Sequence, residues 1–68
     1  MYRVYEVVGS KEKWVADISD KDWAIEFVYY VLEGHFKGEY LIRDEEGRII
    51  DHDLGPEISR KIDKALRS

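Results

Sequence analysis

The chain has no cysteine. Disulfide bridges and thiolate zinc sites are therefore excluded as supports for the fold. That exclusion matters at 68 residues, because a domain of about 60 residues buries only about 60% of the surface its unfolded chain exposes. Stability has to come from a well-filled core or from a second chain. Proline occurs only at position 56, and no proline-rich, glycine-rich or low-complexity linker divides the sequence. One domain over residues 1–68 is expected. No apolar run approaches the ~20 residues needed to span a bilayer, so no membrane partner is expected. The opening Met-Tyr-Arg-Val-Tyr-Glu lacks the apolar segment of a signal peptide and has the composition of a strand. The expected location is cytoplasmic.

Catalytic signatures are missing as well. Ser10, Ser19, Ser59 and Ser68 lie outside any G-x-S-x-G elbow. Gly34 and Gly38 are not followed by the Lys-Ser or Lys-Thr of a phosphate loop. Paired carboxylates need a cleft to do acid–base work, and a single small core leaves little room for one. The expectation is a protein that is not an enzyme and takes no cofactor.

What the chain does contain is charge and aromatic rings. Charged residues reach 38% against roughly 25% in ordinary domains. The net charge is −4, which favours solubility and argues against general nucleic-acid binding. Five Tyr, two Trp and two Phe supply large rings able to fill a small core.

Local patterns give the order β-β-α-β-β-α. Residues 2–8 and 14–18 are β-branched and aromatic, hence strands, joined by a polar loop over 9–13. Trp14, Ala16 and Ile18 then share one face. Ser19 is the expected N-cap of a long helix over 20–33, with Asp22 three residues on and Gly34 as its left-handed stop. Asp22, Glu26 and Glu33 form a narrow polar stripe on that helix. Ala24, Phe27, Val28, Val31 and Leu32 face the other way, and Trp23, Ile25, Tyr29 and Tyr30 widen the apolar face. Strands at 39–43 and 48–52 flank the turn Asp44-Glu45-Glu46-Gly47. Pro56 opens a short last helix to residue 66, striped by Ile58, Ile62 and Leu66. The fold class is α+β. A four-stranded, mostly antiparallel sheet from two hairpins carries the long helix on one face, and a short C-terminal helix follows. Apolar residues point to both faces of the sheet, so the last helix or another chain must cover the second face.

Metal chemistry is not expected. Asp51-His52-Asp53 would point its histidine away from both neighbours in a strand. The Asp44-Glu45-Glu46 run lacks the alternating ladder of a calcium loop. Four features bear on binding. Tyr2, Tyr5, Trp14 and Tyr40 lie in strands, where aromatics on an open sheet can stack nucleic-acid bases, although core packing is their expected use. The apolar excess favours a protein-interaction domain, with a homodimer as the leading expectation, through Trp23, Ile25, Tyr29 and Tyr30 together with one sheet face. Arg60, Lys64 and Arg67 share a face of the last helix, which offers nucleic-acid binding as an alternative. The acid-rich stretch 39–57 offers an acidic inhibitor as another.

Overall fold

The first hairpin is tighter than its composition suggests. The structure, a computed structural model, describes residues 1–67. Strands β1 (Tyr2–Val8) and β2 (Lys11–Ile18) are antiparallel, and Val8 pairs with Lys11. Only Gly9 and Ser10 are left to turn the chain. Gly9 takes φ +62, a left-handed conformation open to glycine at little cost. The polar loop expected over 9–13 is thus corrected: Lys11, Glu12 and Lys13 are ladder residues. They are charged because β2 is an edge strand, where charge discourages pairing with other chains.

A β-bulge then decides which face each β2 side chain uses. Val4 pairs with Ala16, whereas its neighbour Tyr5 pairs with Trp14. Val15 is the extra residue, and the alternation of the strand breaks there. Ala16 and Ile18 stay on the side of Val4. Trp14 moves to the opposite side, with Tyr5, and not to the face it was expected to share with Ala16 and Ile18.

The long helix α1 covers residues 21–35. Its N-cap is Asp20, not Ser19. The Asp20 Oδ1 accepts the backbone N–H of Trp23 at 3.0 Å, satisfying one orphan donor of the first turn. The helix is α-helical over Lys21–Glu26, π-helical over Phe27–Leu32 and α-helical again over Glu33–His35. The Glu33 N–H donates to the Val28 carbonyl five residues back. This wider turn rotates Val31 outward, although a regular helix would place it beside Ala24 and Val28. It also carries the helix through Gly34, which is not its terminus. The chain leaves the helix at Phe36, whose backbone is extended.

Strands β3 (Glu39–Arg43) and β4 (Ile49–Ile50) complete an antiparallel sheet of order β2-β1-β3-β4. The strand expected over 48–52 is cut short because Asp51 turns the chain: its Oδ1 accepts the N–H of Asp53 at 2.9 Å. At the other end of β4, Asp44 organises the tight turn by accepting the N–H groups of Glu46 and Arg48, both at 2.9 Å.

Helix α2 (Gly55–Arg67) has 13 residues and is not short. It packs against α1 on the same side of the sheet. A Cβ at Gly55 would lie 2.6 Å from the Tyr29 ring, so the start of α2 approaches α1 as closely as glycine allows. The core consists of Val4, Ala24, Ile25, Val28, Leu32, Tyr40, Ile42 and Ile58, with Ile62 packed at its margin. Beyond Ile62 the helix runs off the body, and Leu66 is 78% exposed. The radius of gyration is accordingly 12.2 Å, against about 11 Å for a compact chain of this length.

Candidate functional site

Every core residue of the sheet points toward the helices. The opposite face therefore carries no covering layer among the described residues. Its composition follows from the ladder register. Tyr5 stands between Trp14 on β2 and Leu41 on β3, giving an apolar row straight across the strands. Val7 lies beside this row, between Glu12 and Glu39. On its other side lies a row of Asp17, Arg3, Arg43 and Ile49. The face thus runs from acidic through apolar to arginine-rich along the strand direction. Trp14 is 59% exposed and Ile49 62%.

Two contacts fix this surface. The Trp14 Nε1–H donates to Asp17 Oδ1 at 2.9 Å, so the one polar atom of the ring is already partnered. The ring can lose water without stranding a donor. Arg43 reaches across β1 and donates from Nε and Nη2 to the two carboxylate oxygens of Glu12, each at 2.8 Å. Its Nη1 donates to the Gly47 carbonyl at 2.6 Å. This forked pairing holds the Glu12 carboxyl below its ordinary range, chiefly through the hydrogen bond from Arg43. It raises the guanidinium in turn.

The residues expected at an interface from sequence divide. Ile25 has no exposed surface and belongs to the core. Tyr29 is half-buried against Gly55, with its ring 4.8 Å from that of Tyr30 in an edge-on contact. Trp23 and Tyr30 are exposed, at 56% and 41%, on the helix side of the molecule. They do not join the sheet face. From sequence, Tyr5 and Trp14 stand among the strand aromatics able to stack bases but expected to pack in the core, and Leu41 is not singled out; the bulge that gathers Trp14 with Tyr5 has no signature of its own.

The charged clusters are put to separate uses. Arg60, Lys64 and Arg67 come together around a shallow hollow at the free end of α2, with Asp63 among them. The acids of 39–57 do not form one surface. Glu45 pairs with the N-terminal amine, which lowers its pKa. Asp44 is lowered chiefly by the hydrogen bond from the Arg48 backbone, and Glu46 pairs with Arg48 at 3.1 Å. His52 Nε2 lies 2.6 Å from Glu33 Oε1, tying the loop after β4 to the end of α1. Asp53 brings a third ligand atom, a carboxylate oxygen, and the ligand atoms of the three residues fall within 4.8 Å of one another. These are the described residues that could hold a cation. Two shallow surface hollows are formed, the basic one on α2 and one around Asp44, Glu45 and Glu46. Neither lining joins a nucleophile to a histidine.

The fold and this surface define a two-layer α+β domain with both helices on one side and an aromatic sheet face on the other. Among known proteins no family model matches the chain, and no curated protein or solved structure is similar to it. No described helix is long and apolar enough to cross a membrane.

Proposed function

We propose that the chain is a small, non-enzymatic protein-interaction domain that works by self-association. The observation that carries this is the sheet face turned away from the helices, where Trp14, 59% exposed, lines up with the half-buried Tyr5 and Leu41 across three strands and no described helix or strand packs over it. Exposed apolar patches of this kind mark contact sites. Light scattering across a concentration series tests the proposal: Trp14→Glu abolishes association and leaves the fold intact. A chain that stays monomeric at millimolar concentration overturns it.

Nucleic-acid binding through α2 is a second proposal, supported by the grouping of Arg60, Lys64 and Arg67. Asp63 within the group and the net charge of −4 weigh against it. Retention on a polyanion column that falls steeply with salt would favour it, and no retention at low salt would remove it.

A further inference from the structure

The loop after β4 and the end of α1 bring three metal-ligating groups of two kinds together. We propose that Glu33, His52 and Asp53 form a binding site for one divalent transition-metal ion of the zinc class. The site is independent of the sheet face and of self-association.

Two local departures from regular structure build it. Strand β4 ends at Ile50, and Asp51 Oδ1 accepts the Asp53 N–H at 2.9 Å. His52 and Asp53 therefore lie in a turn. The alternation that sends neighbouring side chains to opposite sides of a strand does not apply to them, and His52 Nε2 comes within 4.0 Å of Asp53 Oδ1. On α1, the π-helical turn over Phe27–Leu32 inserts a residue ahead of Glu33. In a regular helix Glu33 would share the stripe of Asp22 and Glu26. Here its Oε1 lies 2.6 Å from His52 Nε2. Wide turns of this kind recur at functional sites. The loop is also pinned beyond the cluster. The Gly55 N–H donates to the His52 carbonyl at 3.2 Å, and Gly55 packs on Tyr29 of α1.

Charge favours a cation between these groups. Two carboxylates meet one imidazole, and the side chains of Glu33 and His52 are only 31% and 19% exposed. No lysine or arginine among the described residues pairs with Glu33 or Asp53. A dication supplies the positive charge that the histidine alone cannot.

The donor set and its span select the class of ion. Zinc takes imidazole nitrogen and carboxylate oxygen at about 2.0–2.2 Å, which places neighbouring donors of a tetrahedral shell about 3.4 Å apart. The present separations from His52 Nε2 are 2.6 Å to Glu33 and 4.0 Å to Asp53. Movements of about 1 Å reach the tetrahedral spacing, and Asp53, with 81% of its side chain exposed, has room to make them. The ion enters between His52 and Glu33 and replaces their hydrogen bond, and water completes its shell. An imidazole donor disfavours magnesium and calcium, which take oxygen ligands.

Calorimetric titration of the full chain with Zn²⁺ tests the site, with circular dichroism as the check on folding. One ion binds per chain. Glu33→Gln, His52→Ala and Asp53→Asn each weaken binding at least about 10-fold, the loss that follows removal of groups one shell further from a metal. His35→Ala, which changes the other histidine, leaves binding as it was, and Mg²⁺ does not compete. Zn²⁺ also raises the urea midpoint of the wild type and not that of Asp53→Asn. Asp53→Asn decides the matter if His52→Ala unfolds, because so exposed a side chain does not support the fold. No binding of Zn²⁺ up to millimolar concentration overturns the proposal. Binding that survives Asp53→Asn and Glu33→Gln, or that is lost in His35→Ala, places the ion elsewhere and overturns it equally. Tighter binding of Mg²⁺ than of Zn²⁺ overturns the assignment to the zinc class.

Discussion

Trp14 stands directly opposite Tyr5 across the β1–β2 ladder, on the face of the sheet that no helix covers. The pairing depends on the bulge at Val15, since an unbroken β2 would send Trp14 to the helix side with Ala16. Dehydration of this indole is the spectroscopic mark of self-association. In a Trp23→Phe variant, the remaining emission shifts to the blue as concentration rises. In a Trp14→Phe variant, the emission of Trp23 stays constant. A shift in the second protein and none in the first would move the contact to the flank of α1 that carries Trp23 and Tyr30.

Gly55 and Tyr29 form the tightest junction between the two helices. A methyl group at Gly55 would press on the Tyr29 ring at 2.6 Å, so Gly55→Ala costs about 1–3 kcal/mol of stability. Tyr29→Gly removes both the ring and the Cβ, which would lie 2.8 Å from the new methyl group, and the double variant with Tyr29→Gly is less unstable than the two single costs added together, by about 1 kcal/mol. Chemical denaturation of the four proteins measures the coupling. Simple additivity would show that the helices do not meet there.

The start of α1 separates two neighbouring candidates. Asp20 accepts the Trp23 N–H, so Asp20→Ala costs about 1 kcal/mol, whereas Ser19→Ala changes stability by less than about 0.5 kcal/mol. Urea midpoints of the two variants decide between them. The reverse order would return the cap to Ser19.

The Glu12 carboxyl sets an acid dependence. Its pKa in the folded chain lies below the ordinary 4.5, so the folded chain gives up this proton more readily than the unfolded chain does. The stability it contributes is complete above pH 4.5 and is lost as pH falls through the lower folded value. Asp44 and Glu45 are lowered too and act with the same sign. Glu12→Gln is therefore less stable than the wild type at neutral pH, and the difference closes as the pH falls through the lowered folded value. A gap in urea midpoint that stays constant from neutral pH into acid would show that the Arg43 fork contributes nothing.

The element order and most of the core were legible from the residues. β1 is β-branched and aromatic throughout, β3 has Tyr40 and Ile42 in alternation, and Ile58 opens the stripe of α2. The features that place the surface were harder to see. The bulge at Val15 and the π-helical turn over Phe27–Leu32 each insert one residue into a regular period. A single added residue leaves no mark in composition, yet it turned Trp14 to the open face and Val31 to solvent. Lys11, Glu12 and Lys13 looked like a loop because an edge strand carries the same charges. Asp20 and Ser19 are equally good caps by type, and only the hydrogen bond to Trp23 separates them.

The central claim is that the sheet face of Trp14, Tyr5 and Leu41 is a contact surface for a second copy of the chain. Solution mass by light scattering, measured for the wild type and for Trp14→Glu over the same concentration range, tests it most directly. The account predicts that the wild type rises toward twice its 8.1 kDa while Trp14→Glu, still folded, stays at the monomer mass. A wild type held at 8.1 kDa throughout, or a Trp14→Glu protein that dimerises as readily as the wild type, would contradict it.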